Sequence, residues 1–183
     1  MTGTVANVTM RPMTVTWGAS SLGFTDGDIE IPFTEDVVDV LAHQTGSSVQ
    51  TAIRTGKNIE VALTLKETSK AAYEYILKQS GSLATASGGA SAVIGWGSAK
   101  DFTQVLSQAA KLTFHPVTKA ASDKSEDVAF WLAYPMPESM VYSGENPSTL
   151  SVTFKIYPDA AKADEFKLGV IGSSTSGNFT EIE

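Results

Sequence analysis

The chain has 183 residues, 42% of them hydrophobic and 18% charged, with a net charge of −7 and no cysteine. That length supports one domain with a real core, expected over residues 1–183. The acidic balance excludes a sequence-independent grip on nucleic acid, which needs clustered Lys and Arg against phosphates. The missing cysteines exclude disulfides, thiolate metal sites and thiol nucleophiles.

In chain order, most of the periodicity is that of strands. Met13, Val15 and Trp17 alternate near the start, and Asp26-Gly27-Asp28-Ile29-Glu30 reads as a strand with one acidic face. Thr34 to Ser69 then carries the most informative pattern, two strands around a long projecting connection. It opens on Glu35-Asp36-Val37-Val38-Asp39 and runs through His43, Gln44, Thr45 and Gly46. After Arg54 and the pair Thr55-Gly56, Ile59, Val61, Leu63 and Leu65 alternate with Glu60, Ala62, Thr64 and Lys66. A compact domain rarely keeps so long a loop without using it.

A helix is expected over 70–79. Ala72, Tyr73, Ile76 and Leu77 share one face, Thr68 or Ser69 serves as the N-cap, and Gly81 stops it. The stretch 81–99 is almost pure Gly, Ala and Ser, so it reads as a flexible loop or an extended surface arm. Leu112 and Phe114 mark a short strand, 117–127 a polar turn, and Val128 to Tyr134 a strand buried on both faces. Pro135 and Pro137 are expected to end that strand, because neither can donate to a ladder. Leu150, Val152, Phe154 and Ile156 form the last alternating run, and a flexible tail is expected over about 172–183. The sum is a mainly β chain of α+β type, a sandwich or barrel with one flanking helix.

Chemistry is sparse. His43 falls in the long loop and His115 between Phe114 and Pro116, so both read as surface or loop residues. Neither sits at a zinc-site spacing, and no partners for a triad are recognisable. Thr55-Gly56-Lys57-Asn58 lacks the upstream glycine of a phosphate loop, and Gly95-Trp96-Gly97 lacks the third glycine of a dinucleotide fingerprint. Asp26-Gly27-Asp28 fails as a calcium loop because Ile31 stands where the sharp-turn glycine belongs. No enzyme activity, cofactor or metal is expected. The start MTGTVANVTMRP lacks the features of a signal peptide and no apolar run could span a bilayer, so a soluble product without a membrane partner is expected.

Six carboxylates, Asp26, Asp28, Glu30, Glu35, Asp36 and Asp39, fall within fourteen residues that hold no Lys or Arg. That is either a solvated face or a surface kept electronegative so that a polyanion passes without sticking. An acidic strand, a polar loop with Gln-Thr-Gly, a Thr-Gly turn, a strand ending Leu-Lys-Glu-Thr-Ser and an amphipathic helix follow one another. In that order the chain resembles the major tail tube protein of long-tailed, siphovirus-like bacteriophages, over roughly residues 13–80 and 126–170.

The resemblance implies a β-sandwich with a flanking helix that assembles into six-membered rings, stacked as a tube through which DNA is ejected. It also implies a place in the virion tail, with tape measure, tail terminator and distal tail proteins as further partners and DNA passing unbound. The 34–56 loop, with Glu35, Asp36, Asp39, His43, Gln44, Thr45, Gly46 and Arg54, would reach a neighbouring ring or subunit. Glu60, Ala62 and Thr64 would line the lumen, with Asp28 and Glu30 as second candidates. Six copies at −7 each carry −42 per ring, felt by DNA over a Debye length of about 8 Å. The inner tube of a contractile tail or injection device is an alternative. So is a monomeric carbohydrate-binding sandwich using Trp17, Trp96 or Tyr142 as a sugar platform.

Overall fold

A computed structural model describes residues 11–41, 49–66, 76–77, 81–85, 92–96 and 104–173. The chain is mainly β, and its principal unit is a single open antiparallel sheet of nine strands. These are β1 (Met13–Trp17), β2 (Ser20–Ser21), β3 (Thr25–Glu30), β4 (Phe33–Leu41), β5 (Val49–Leu65), β8 (Ala110–Pro116), β9 (Val128–Val141), β10 (Thr149–Tyr157) and β11 (Gly169–Ile171). A separate hairpin joins β6 (Gly81–Thr85) to β7 (Ala92–Trp96). The main order is β2-β1-β8-β9-β10-β5-β3, with β4 on β5 and β11 on β9.

The alternation read from sequence places the core. Val61, Leu63 and Leu65 on β5 face Phe154, Val152 and Leu150 on β10 in direct register, and all six are buried. Leu112 and Phe114 on β8 and Val15 and Trp17 on β1 continue the apolar face. The sheet curls around that face. Trp17 meets the Phe154 ring with centroids 6.1 Å apart, although β8 and β9 lie between their strands. Its Nε1 donates to the Ala133 carbonyl at 2.9 Å, so the one polar atom of this buried indole is satisfied.

Four expectations change. Pro135 and Pro137 do not end β9, which runs on to Val141 and pairs with Phe154 and Val152. Two residues apart, their nitrogens turn to the same edge. β8 pairs only as far as Ala133, so the missing donors fall on an edge without a strand among the described residues. The 34–56 loop is mostly strand, because β4 and β5 form a hairpin in register from Phe33↔Ile59 to Leu41↔Val49. Gly81 opens β6, and 81–99, read as a loop or arm, contains the β6–β7 hairpin. Of the helix over 70–79, Ile76 and Leu77 are helical and buried in the core; the rest lies outside the described residues, as do most of 172–183.

The fourth change concerns His115, which is neither a loop nor a surface residue. It sits inside β8, and its Nδ1 lies 2.5 Å from Oδ1 of Asp127, a fully buried carboxylate in what reads as a polar turn. With a proton on Nδ1 the ring donates to Asp127. Lys124 Nζ stands 3.8 Å from the other oxygen. Burial holds the Lys111 amine below the usual lysine range, with Asp127 opposing the drop and Lys162 and Lys124 adding to it. Asp127→Ala is expected to cost about 2 kcal/mol, the scale of a hydrogen bond to a charged group. A urea midpoint equal to that of the parent would contradict this role.

Candidate assembly arm and polar sheet face

Beyond Phe33, β4 and β5 leave the sheet as a two-stranded arm. All nine residues of β4 are exposed, as are those of β5 from Val49 to Asn58 except Gly56. The sequence explains why a ribbon forms: β-branched Val37, Val38, Val40, Val49 and Ile53 favour extended backbone, and cross-strand pairs fix the register. Glu35 lies opposite Lys57, and Arg54 Nη1 is 3.0 Å from Glu35 Oε1. Lys57 Nζ stands 5.5 Å from the centre of the Phe33 ring at the root. Thr55 Oγ1 donates to the Asp36 carbonyl at 3.2 Å, where the ladder shifts register. Opposite Asp36, Gly56 leaves room that a side chain would not: a Cβ there would lie 3.0 Å from Oδ2.

The arm is apolar without a core. Val38 faces Ile53 across the ladder, and they are 55% and 56% exposed. Phe33, Val37, Leu41 and Val49 are each more than half exposed as well. A lone two-stranded hairpin is marginal in water, and clustered exposed apolar side chains mark an interaction surface. Glu35, Asp36, Asp39 and Arg54 all fall on this arm. His43, Gln44, Thr45 and Gly46 lie outside the described residues.

The second feature is the sheet face opposite the core on β3, β5, β10 and β9. Register places Asp26, Thr64, Ser151 and Ser139 in one row, Glu30, Ala62, Thr153 and Met136 in the next, and Glu60, Lys155 and Tyr134 in a third. Hydroxyls bond across it: Thr64 Oγ1 to Ser151 Oγ at 3.3 Å, and Thr153 Oγ1 donating to Glu138 Oε1 at 2.5 Å. The structure thus brings Glu60, Ala62, Thr64 and Glu30 together. Asp28 stands apart, in the irregular stretch between the Asp26 and Glu30 pairings, where Gly27 takes a φ of +67°. Lys66 lies just past the end of β5, with its Nζ 2.7 Å from Asp26 Oδ1 of the same chain.

Sequence alternation already sets Ser151, Thr153 and Lys155 opposite the core positions of β10, but it does not find Glu138 of β9 on the same face. It also missed β11, three residues too short for periodicity to find. Of the aromatics named for the carbohydrate reading, Trp17 is buried in the core and Tyr142 is exposed just past β9, while the side chain of Trp96 lies outside what the structure describes. Among the described residues no cluster of three or more His, Asp or Glu could hold a metal ion.

Fold and site together define a mainly-β protein with a projecting, apolar β-hairpin arm and a hydroxyl-rich sheet face. Neither a family model nor a curated protein matches the chain.

Proposed function

We propose that this protein is a self-assembling structural subunit of a phage tail tube, a major tail tube protein of the siphovirus type. Six copies form a ring and rings stack into a conduit for DNA. The observation that carries the reading is the arm, a ribbon whose apolar side chains have no core to pack against among the described residues. The open sheet supports it too. Its outer strands β2 and β3 present edges with no partner strand among the described residues, a liability that closure around a ring removes. Lateral contact between subunits is heterologous and closes; contact between rings repeats without closing and yields a polymer. In this reading the sheet becomes part of a barrel-like tube fold, flanked by the helix to which Ile76 and Leu77 belong.

The hydroxyl-rich face suits the lumen. Asp26, Glu30, Glu60 and Glu138 outnumber Lys66 and Lys155 there, and one of those lysines is already paired within the chain. Small polar groups and a net negative wall offer phosphates no trap. The protein acts without catalysis or cofactor, in the virion tail, beside the tape measure, terminator and distal tail proteins.

Sedimentation velocity over rising concentration tests the assembly: hexamers and larger species are expected, and a monomer at every concentration would sink the proposal. Charge reversal tests the lumen. Glu60→Lys is expected to leave tubes intact while impairing DNA delivery, whereas full infectivity would remove β5 from the wall.

A further inference from the structure

The root of the arm holds a groove that the tube reading leaves unassigned. β8 and β11 both pair with Val128, Ala129 and Phe130 of β9, so they occupy its opposite edges. β11 therefore takes over the edge that β10 holds as far as Tyr157↔Leu132. On the far side of β10 lies β5, paired only from Glu60 onward. Continuing those rows brings Arg54–Gly56 of β5 opposite β11, yet no ladder joins them. The arm splays away instead, and about 700 Å³ opens between two strand edges that have no partner among the described residues. Ile31, Phe33, Ile59, Phe130 and Leu168 give it an apolar floor. Its lips carry opposite charge, Arg54 and Lys57 on the β5 side, Asp164 and Glu165 on the other.

We infer that this groove receives the arm of a second copy of the chain. The inference rests on the assembly reading and adds the receptor for the arm. The occupant must be extended, apolar and polarised in charge, because the groove offers unpaired edges, an apolar floor and lips of opposite sign. A small apolar ligand would cover the floor and leave the edges unpaired. The arm meets all three requirements. Its β4 strand has an outer edge with no partner strand among the described residues and bears Glu35, Asp36 and Asp39; its β5 strand bears Arg54 and Lys57. Seated so that β4 approaches the basic lip, the arm lays its own bases toward Asp164 and Glu165. The Glu35–Arg54 pair within the arm is exposed, so it offers little resistance to exchange of partners. Val38 and Val40, which share one face of β4, then supply the apolar contact.

The absence of cysteine makes a direct test possible. Val38→Cys and Val40→Cys proteins are each mixed with Ile171→Cys, at the groove, and with Tyr142→Cys, at the far end of β9. A short bis-maleimide is added, and assembly is followed in parallel by microscopy. Linked heterodimers are expected with Ile171→Cys and not with Tyr142→Cys. Adding Asp164→Lys and Glu165→Lys to the Ile171→Cys protein should lower the yield severalfold. Linkage to Tyr142→Cys instead, or to neither position in an assembled sample, would overturn the groove as receptor while leaving the tube reading standing. A sample that neither links nor assembles would take both down.

Discussion

Val38→Asp combined with Ile53→Asp is expected to yield a folded subunit that no longer associates. The two side chains face each other across the arm at 55% and 56% exposure, outside the core cluster. Exposed substitutions away from packed features change stability by about 0.5 kcal/mol or less, so the denaturation midpoint should stay close to that of the parent. Association should respond very differently. Complete burial of a branched apolar side chain contributes about 1.5–3 kcal/mol, and a carboxylate in its place adds desolvation to that loss. With each 1.4 kcal/mol worth about tenfold in affinity, two such positions weaken one contact by at least about a hundredfold. A ring multiplies the deficit because every subunit makes the contact. Sedimentation velocity with urea denaturation on the same sample reads both quantities. A double variant that assembled like the parent would show that the arm is not an interface.

Phe154→Ala is expected to produce the largest loss of folding stability, about 3–5 kcal/mol for a fully buried phenylalanine. Phe154 is 0% exposed, sits mid-strand between Pro135 and Val61, and packs against Trp17 at an interplanar angle of 56°. Its removal leaves a cavity where the sheet curls over itself, at the contact that brings β1 to β10. Since a domain is held by only about 5–15 kcal/mol in total, much of the chain could unfold at 37 °C. Tyr142→Ala is the control, an aromatic deletion at a 73% exposed position, expected to stay within about 0.5 kcal/mol. Equal urea midpoints for the two variants would contradict the placement of the core.

Much of this fold was legible in the sequence, and the reason is physical. Where one face of a strand is buried, a period of two is enforced, and β5 beyond Ile59 and all of β10 carry it plainly. Their pairing follows from two such runs with matching apolar faces. The arm was legible only as an excursion. Its strands are exposed on both faces, so Val37 and Val38 stand side by side and no alternation marks them. The prolines misled because the rule they obey concerns donors, and those donors point to an edge that β8 has already left. The His115–Asp127 pair escaped because a buried carboxylate between Glu126 and Val128 looks, in one dimension, like any acid in a turn. The polar face was half visible: Glu60, Ala62 and Thr64 followed from alternation, but their neighbours on β10 and β9 needed the register, which periodicity does not specify.

Electron microscopy of the purified protein in negative stain shows directly whether the subunit builds a tube. Six-fold rings that stack into tubes with an open axial channel are expected. A uniform population of 19.3 kDa monomers at the concentrations of the sedimentation experiment would contradict it.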